Sequence, residues 1–305
     1  NCSGTLYRLM MAKPKVIQTL LLPELRRFNG QNMASAFQAF SRKMSLDINL
    51  TAGESAQLKR HFQFIPNSWP IAALCRQAEK IDADTHLWLR ADPIYLHAEM
   101  HGARVMAWDN LHLSLDEQTQ ILSALRPVFG DFGFELSTSS QGFFYIRTLN
   151  ASPIPIFADA VDILGCDLSE HLKKNKKWLA LFNECQIILH NHPLNAARIN
   201  KQQTPINALW FWAAGQLPTA VQYDFNKIFT DDFMLSTFFF FFQNVAESGL
   251  DKHFIDVRKV RDWTQIEALF DASKEFLFDF ADGTQWHWKP YMKWFFWRRS
   301  KTDFA

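Results

Sequence analysis

No charge of one sign dominates this 305-residue chain: 32 Lys and Arg against 31 Asp and Glu leave a formal net charge of +1. That balance supplies no field to steer the protein onto nucleic acid or an acidic membrane. Cysteine is scarce. Cys2, Cys75, Cys166 and Cys185 lie far apart, without Cys-x-x-Cys or Cys/His ligand spacing. A disulfide framework and the common zinc sites are therefore not expected, and free thiols in a reducing cytoplasm are. No run approaches the ~18 apolar residues of a membrane span, and the longest, Phe233–Phe242, falls far short. Asn1–Met10 lacks the basic-then-apolar form of a signal peptide. Met11-Ala12-Lys13-Pro14 reads as the more natural start, so residues 1–10 are expected to be an upstream extension. There is no Gly-x-Ser-x-Gly and no phosphate loop, which removes the commonest nucleophile and nucleotide motifs.

What is present is apolar and aromatic. Hydrophobic residues make up 48% and charged residues 21%, the balance of a folded globular chain rather than a disordered one. The 29 Phe and 11 Trp read as core packing. The basic cluster Lys293, Arg298, Arg299 and Lys301 reads as a solvated tail.

Val16–Leu22 is a short apolar run ending at Pro23, the pattern of a buried first strand. Met33–Phe40 has helical periodicity. Thr51 with Glu54 three residues on predicts a capping box opening a helix to Phe62. A third helix follows Pro70. Thr85–Leu89 and Ile94–Ala98 alternate as strands, with Arg90-Ala91-Asp92-Pro93 read as their connection, and Arg104–Trp108 follows. Ser114 and Glu117 form a second capping box, with Ile121, Leu122 and Leu125 on one face. Phe134–Thr138 and Phe143–Arg147 pair as a hairpin. The unit from Thr85 to Thr148 predicts an α+β subdomain.

Lys177–His192 is the best helix, with Trp178, Leu181, Phe182, Cys185, Ile188, Leu189 and His192 within one arc at ~100° per residue. Pro193 ends it, and a short helix then holds Asn195 and Arg198 as surface neighbours. Ile206–Trp212 is a continuous apolar strand stopping at Ala213-Ala214-Gly215. Beyond it the order is helix (Asp232–Glu247), strand (Phe254–Val257), helix (Trp263–Lys274) and strand (Glu275–Phe280). Alternation of this kind predicts a parallel α/β sheet that Val16–Leu22 joins. The Phe238–Phe242 run is expected to be buried all round or at an interface.

The candidate site is drawn from the stretch His190 to Gly215 and the helix before it. His190 and His192 point ~160° apart on a helix and so cannot chelate one ion; no metal is assigned. Asn183, Gln186 and His190 form a polar stripe that either faces solvent or joins Asn195, Arg198 and Asn207 around a small anion. Arg198 would be the guanidinium fork. Ala213-Ala214-Gly215 would allow close backbone approach, at the carboxyl end of a parallel strand. The pairs Asp159/Asp162 and Asp231/Asp232 sit where capping is the default.

At this point the chain resembles a known family. His192-Pro193-Leu194-Asn195-Ala196-Ala197-Arg198, then Pro205-Ile206-Asn207, then Trp210 to Gly215 is similar to a run in archaeal-type cofactor-independent phosphoglycerate mutases, over about 85–218. From end to end it resembles a bacterial group of RpfE-type regulatory proteins, through Leu20–Leu25, Trp88–Pro93, Asn183–Gln186 and Phe296–Arg299. The resemblance implies a degenerate alkaline-phosphatase-like parallel α/β core with an inserted α+β subdomain. It divides the chain at 1–84, 85–150 and 151–305. Active mutases of that superfamily use two metal ions held by Asp and His and a phosphorylated Ser. Here the first strand ends Leu21-Leu22-Pro23-Glu24 without the Asp-Gly metal motif, and Asp251–Phe280 shows no Asp-x-x-x-His.

The expectation is thus a cytoplasmic, non-catalytic regulatory protein without cofactor. It would bind a small phosphorylated or carboxylated metabolite through Asn183, Gln186, His190, Asn195, Arg198 and Asn207. The alternatives are a metal-dependent mutase or phosphohydrolase with a rearranged site, and a structural module with a protein partner. Nucleic acid and integral membrane association are not expected.

Overall fold

The apolar run Val16–Leu22 forms strand β1, and everything in the first of two compact units is arranged about it. The computed structural model describes residues 16–66, 68–99, 102–109, 111–140, 142–149, 154–168, 172, 175–241 and 250–294. One unit comprises residues up to Gln63 and from Val221, the other Phe64–Ala220.

In the first unit β1 runs parallel to β11 (Asp251–Asp256) on one side and to β12 (Glu275–Phe280) on the other. With β2 (Ser45–Asp47), β10 (Lys227–Phe229) and β13 (Gln285–Trp288), the sheet order is β10-β11-β1-β12-β13-β2. The joining of β1 to later parallel strands is as expected; the antiparallel β13 and β2 extend it. Leu20 and Leu22 share a core with Phe37 of α1 (Ser35–Ser41) and with Trp263 and Ile266 of α8 (Trp263–Leu269). Phe276, Phe278, Trp286 and Trp288 complete it. Each such side chain stabilises the fold by about 1.5–3 kcal/mol on burial, and edge-to-face pairs such as Phe37–Trp263, 5.4 Å apart, add to that. Gly283 turns β12 into β13 at φ +87°, where a Cβ would meet the Leu50 carbonyl at 2.2 Å.

Helix α2 (Glu54–Lys59) departs from expectation at its start. The Thr51 capping box does not form; Gly53 at φ 110° is the N-cap. Its N–H bonds the Ala281 carbonyl at 2.7 Å, tying the helix entry to the β12–β13 turn instead. In α7 (Phe233–Phe241), Phe238 is buried and Phe239 partly so. The side chains of Phe240–Phe242, the helix beyond Phe241, Asn1–Met10 and Phe296–Arg299 lie outside the described residues.

The second unit is built on β4 (Trp88–Glu99), a single twelve-residue strand. The connection expected at Arg90–Pro93 is therefore strand, because Ala91–Ile94 pair antiparallel with Phe211–Ala208 of β8 (Ala208–Gly215). β7 (Phe144–Thr148) takes Trp88–Arg90, and β5 (Gly102–Ala107) takes Tyr95–Glu99. β6 (Phe134–Thr138) completes the β6–β7 hairpin as expected. Among the described residues, β8 is thus the only strand partner of residues 91–94, and Pro93, lacking an N–H, sits in that interval. β8 is antiparallel, so the expectation of a parallel-strand carboxyl end at Ala213–Gly215 is corrected, and Gly215 packs against Pro70 rather than open space. β8 lies in the same sheet as β4. Both boundaries expected at 84/85 and 150/151 consequently fall within the second unit.

Around this sheet lie α3 (Ile71–Lys80), α4 (Leu115–Asp131), α5 (Lys176–His190) and α6 (Pro193–Asn200). The Ser114/Glu117 capping box is present in both halves. On α5 the buried residues Trp178, Leu181, Phe182, Cys185 and Leu189 follow the expected arc. Trp178 stacks on Phe134 with ring centroids 4.8 Å apart. His192 caps α6, its Nδ1 accepting from the Leu194 N–H. Cys166 and Cys185 are free thiols. No helix among the described residues is long and apolar enough to cross a membrane.

Candidate functional site

The six residues expected to bind an anion divide into two groups that do not converge. Asn183 and His190 are exposed and Gln186 half-buried, on the outer face of α5. Asn195, Arg198 and Asn207 are buried and bonded to the protein itself. Asn195 donates to the Leu189 and Ile206 carbonyls and accepts the Ile206 N–H, at 2.7–2.8 Å. Asn207 accepts the Leu96 N–H and donates to its carbonyl, both at 2.8 Å, so its amide extends the ladder of β8 along β4. Arg198, 2% exposed, donates from Nε to the Thr204 carbonyl, from Nη1 to Glu117 and from Nη2 to the Leu111 carbonyl. Every guanidinium nitrogen is therefore in use, because the turn after α6 and the loop before α4 would otherwise bury bare carbonyls. Burial opposes ionisation of Glu117, but the Ser114 N–H and Arg198 hold its carboxyl below the usual range.

Arg198 and Glu117 pin a loop that walls a cavity of about 410 Å³. Its other walls are Arg90, Asp92 and Pro93 of β4 and Gly142–Phe143 of the β6–β7 turn; the loop contributes Trp108, Asp109 and Leu111–Ser114. The wall from β4 is the interval left with a single strand partner. Asp109 and His112 hold left-handed φ of 63° and 41°, in residue types that tolerate it.

Arg90 and Asp92, two apart on one strand, share a face. Arg90 Nε and Nη2 donate to the two oxygens of Asp92 at 2.9 and 2.8 Å. Asp92 Oδ2 also accepts from Trp212 Nε1 at 2.9 Å and Trp108 Nε1 at 3.1 Å. The guanidinium, 5% exposed, lies 3.6 Å from the Phe143 ring centroid and 5.0 Å from that of Trp212. Burial disfavours its charge, but Asp92 more than offsets this and raises its pKa. Among the described residues, Nη1 has no hydrogen-bond partner. Since Asp92 shares its charge with two indole donors, the arginine in this wall keeps attraction for a further acceptor. Tyr145 faces Arg90 across β4 and β7. Glu79 lies nearby, and burial pushes its carboxyl up against the opposing effects of Ser139, Arg90 and Arg76.

The first unit has a second concentration of charge. Asp256 and Asp279 are both in register with Leu21, at the carboxyl ends of strands two apart, so their backbones are roughly 9.5 Å apart. Asp279, fully buried, accepts from Arg60 at 2.7 and 3.2 Å and meets His61 Nε2 at 2.6 Å. Asp256 accepts from Arg258 at 2.9 and 2.8 Å and from the Thr230 hydroxyl at 3.0 Å. Arg258 donates further to Asp232 at 2.8 Å and Glu54 at 3.3 Å. Helix α2 crosses this edge, with Glu54 reaching Arg258, Gln57 bonding the Leu22 and Asp279 carbonyls, and Arg60 reaching Asp279. Both aspartates have their carboxyls held low against the cost of burial, by Arg60 and His61 in one case and Arg258 in the other.

The two metal ions implied by the family resemblance do not fit here. The carboxylate oxygens they would need are engaged by arginine, histidine and threonine. Among the described residues no three His, Cys, Asp or Glu side chains are arranged to hold an ion. Sequence reasoning missed Arg90, Asp92, Arg60, Asp279, Asp256 and Arg258. Arg90-x-Asp92 carried a usable signal, since opposite charges two apart in an apolar strand share one face.

No protein-family model matches the chain. It is similar to a probable 2,3-bisphosphoglycerate-independent phosphoglycerate mutase of Geobacter sulfurreducens, 26% identical over 110 residues, which is 35% of this chain and 28% of that protein. The chain thus matches little more than a quarter of that relative. Among solved structures, the PH0037 protein from Pyrococcus horikoshii aligns at TM-score 0.44 and 10% identity over 90% of this chain and 87% of its own. A cofactor-independent phosphoglycerate mutase from Thermoplasma acidophilum aligns at TM-score 0.36 and 12% identity, over 91% and 90%. The chain has weak homology to cofactor-independent phosphoglycerate mutases.

Proposed function

We propose that this chain is a non-catalytic, regulatory descendant of cofactor-independent phosphoglycerate mutases with a degenerate alkaline-phosphatase-like core. In this reading it binds a small carboxylated or phosphorylated metabolite on Arg90. The observation that carries the reading is the cavity itself: a buried guanidinium, fixed by Asp92 and flanked by Phe143 and Trp212, with Nη1 to spare. The saturated carboxylates of the first unit support the non-catalytic part, because metal-assisted phosphoryl transfer needs those oxygens for its ions. Asn183, Gln186 and His190 enter only as an exposed surface that a larger ligand or a partner could touch.

The test is thermal unfolding in chelator, with 3-phosphoglycerate and inorganic phosphate as separate probes. At a hundredfold excess over Kd the wild type gains about 2.7 kcal/mol. Arg90→Lys keeps the charge but loses the planar fork, and weakens the response about tenfold. An equal response in the variant would remove Arg90 from the site. Conversion of 3-phosphoglycerate to 2-phosphoglycerate with Mn²⁺, abolished by Asp279→Asn, would select the enzyme reading instead.

A further inference from the structure

The free donors of Arg90 have a definite shape. Asp92 takes Nε and Nη2, the side-on pair of N–H groups. What remains among the described residues is the end-on edge, formed by Nη1 and the second hydrogen of Nη2. Trp212, in register with Arg90 on β8, and Phe143, leading into β7 on the other side of β4, flank the guanidinium. A ligand therefore meets it in its own plane. The two coplanar oxygens of a carboxylate suit that approach. The outer oxygens of a phosphate would turn toward the rings and lose water without gaining donors.

Charge narrows the class further. Asp92 and Asp109 line the cavity against the single guanidinium of Arg90, with His112 the remaining titratable group among the described lining residues. A dianion would deepen the negative excess, and a molecule carrying its own cation would not. Asp109 is exposed at the cavity, and its carboxylate makes no hydrogen bond among the described residues. Its backbone is nevertheless well anchored. Trp108 before it donates to Asp92 at 3.1 Å, and Arg198 holds the Leu111 carbonyl at 2.6 Å. The Trp108 indole and Arg90 Nη2 share the same Asp92 oxygen, so Asp109 starts one residue from the partner of the guanidinium.

We infer, resting on the reading of this cavity as a ligand site, that its ligand is a zwitterion: a free α-amino acid with an apolar side chain. The carboxylate lies on the Nη1–Nη2 edge of Arg90 and the ammonium on Asp109. Pro93, Leu111, Leu113 and Phe143 supply the apolar wall for the side chain. The volume of about 410 Å³ is at the small end of the roughly 300–1,000 Å³ of small-molecule sites, as a ligand of that size requires.

The experiment follows thermal unfolding over concentration series of L-phenylalanine, L-leucine, 3-phenylpropionate, 2-phenylethylamine and 3-phosphoglycerate. At least one of the two amino acids should stabilise the wild type. 3-Phenylpropionate, which lacks only the ammonium of L-phenylalanine, should bind about fivefold more weakly, and 2-phenylethylamine, which lacks the carboxylate, more weakly still. Asp109→Asn keeps a residue type that tolerates the φ of 63° at that position. It should weaken the amino acid by the same factor and leave 3-phenylpropionate unaffected, whereas Arg90→Lys should weaken both. Equal binding of L-phenylalanine and 3-phenylpropionate to the wild type would overturn the inference, as would an amino-acid response unchanged in Asp109→Asn. If 3-phosphoglycerate stabilises the protein through Arg90 and neither amino acid does, the zwitterion is refuted and the Arg90 site stands. Silence from every probe refutes both.

Discussion

Arg258 in the first unit and Arg90 in the second begin from the same local pattern, a guanidinium and an aspartate two residues apart at a strand. They end differently. Arg258 gives its second edge to Asp232 and Glu54, and no donor nitrogen remains idle. Arg90 has aromatic rings over its faces, which attract the cation without occupying its N–H groups, and among the described residues only Asp92 takes its hydrogen bonds. Arg198 repeats the first case with carbonyls in place of extra carboxylates. A buried arginine is thus a binding group only when the fold leaves donors over. Residue type does not reveal that, and the count of acceptors around it does.

The largest expected effect tests Arg198. Its removal would strand Glu117 and two carbonyls in the interior, at a cost of about 3–5 kcal/mol. Urea unfolding of Arg198→Ala should show a loss of unfolding free energy of that size. A variant of unchanged stability that had lost its response to 3-phosphoglycerate would reverse the comparison and return the site to Arg198.

Asp279 sharpens the first unit through pH. Its folded pKa is depressed, and so is that of Asp256. A depressed acid contributes stability that is present above its unfolded pKa, about 3.9, and lost as pH falls through the lower folded value. The wild type should therefore lose stability as pH falls below about 4. Asp279→Asn should be less stable at neutral pH, by about 1.5–3 kcal/mol for the charge-assisted bonds it gives up, with a flatter acid limb. Parallel acid limbs in the two proteins would show that Asp279 does not couple to its partners as drawn.

Much of the framework was legible before the structure, because it depends on local pattern. Val16–Leu22 and Glu275–Phe280 are strands at the expected bounds, and Ser114 with Glu117 forms its capping box. The errors have a common cause in contacts distant along the chain. Arg90–Pro93 resembles a turn until Leu209–Trp212 pairs with it. Thr51 is a plausible cap until Ala281 binds Gly53. Arg198 reads as an anion fork until Leu111 and Glu117, more than eighty residues earlier, are placed against it. The cavity was the least legible feature. It exists because β7 and β5 cover the two ends of β4 and, among the described residues, no strand covers the middle on that side, a property of register rather than composition.

The smallest expected effect concerns the wall behind that cavity. Glu79 lies in α3 beside Arg76, Arg90 and Ser139, and burial raises its folded pKa above the ordinary value of 4.5. The sign is opposite to that of Asp279. With a raised folded pKa the native state holds the proton longer, so the native state is favoured below the unfolded pKa and loses stability as pH rises through the folded one. Glu79→Gln removes the titration while keeping the shape. It should raise the unfolding temperature at pH 7 by on the order of 1–3 °C and give no gain below about pH 4. Because Arg90 is one of the charges opposing the shift, the gain should change in Arg90→Lys only slightly, since the charge is retained. A variant destabilised at pH 7 would mean that Glu79 is ionised and holds Arg90 and Arg76 in place. The cavity would then carry a second counter-ion to Arg90, and the attraction left for an anionic ligand would be correspondingly weaker.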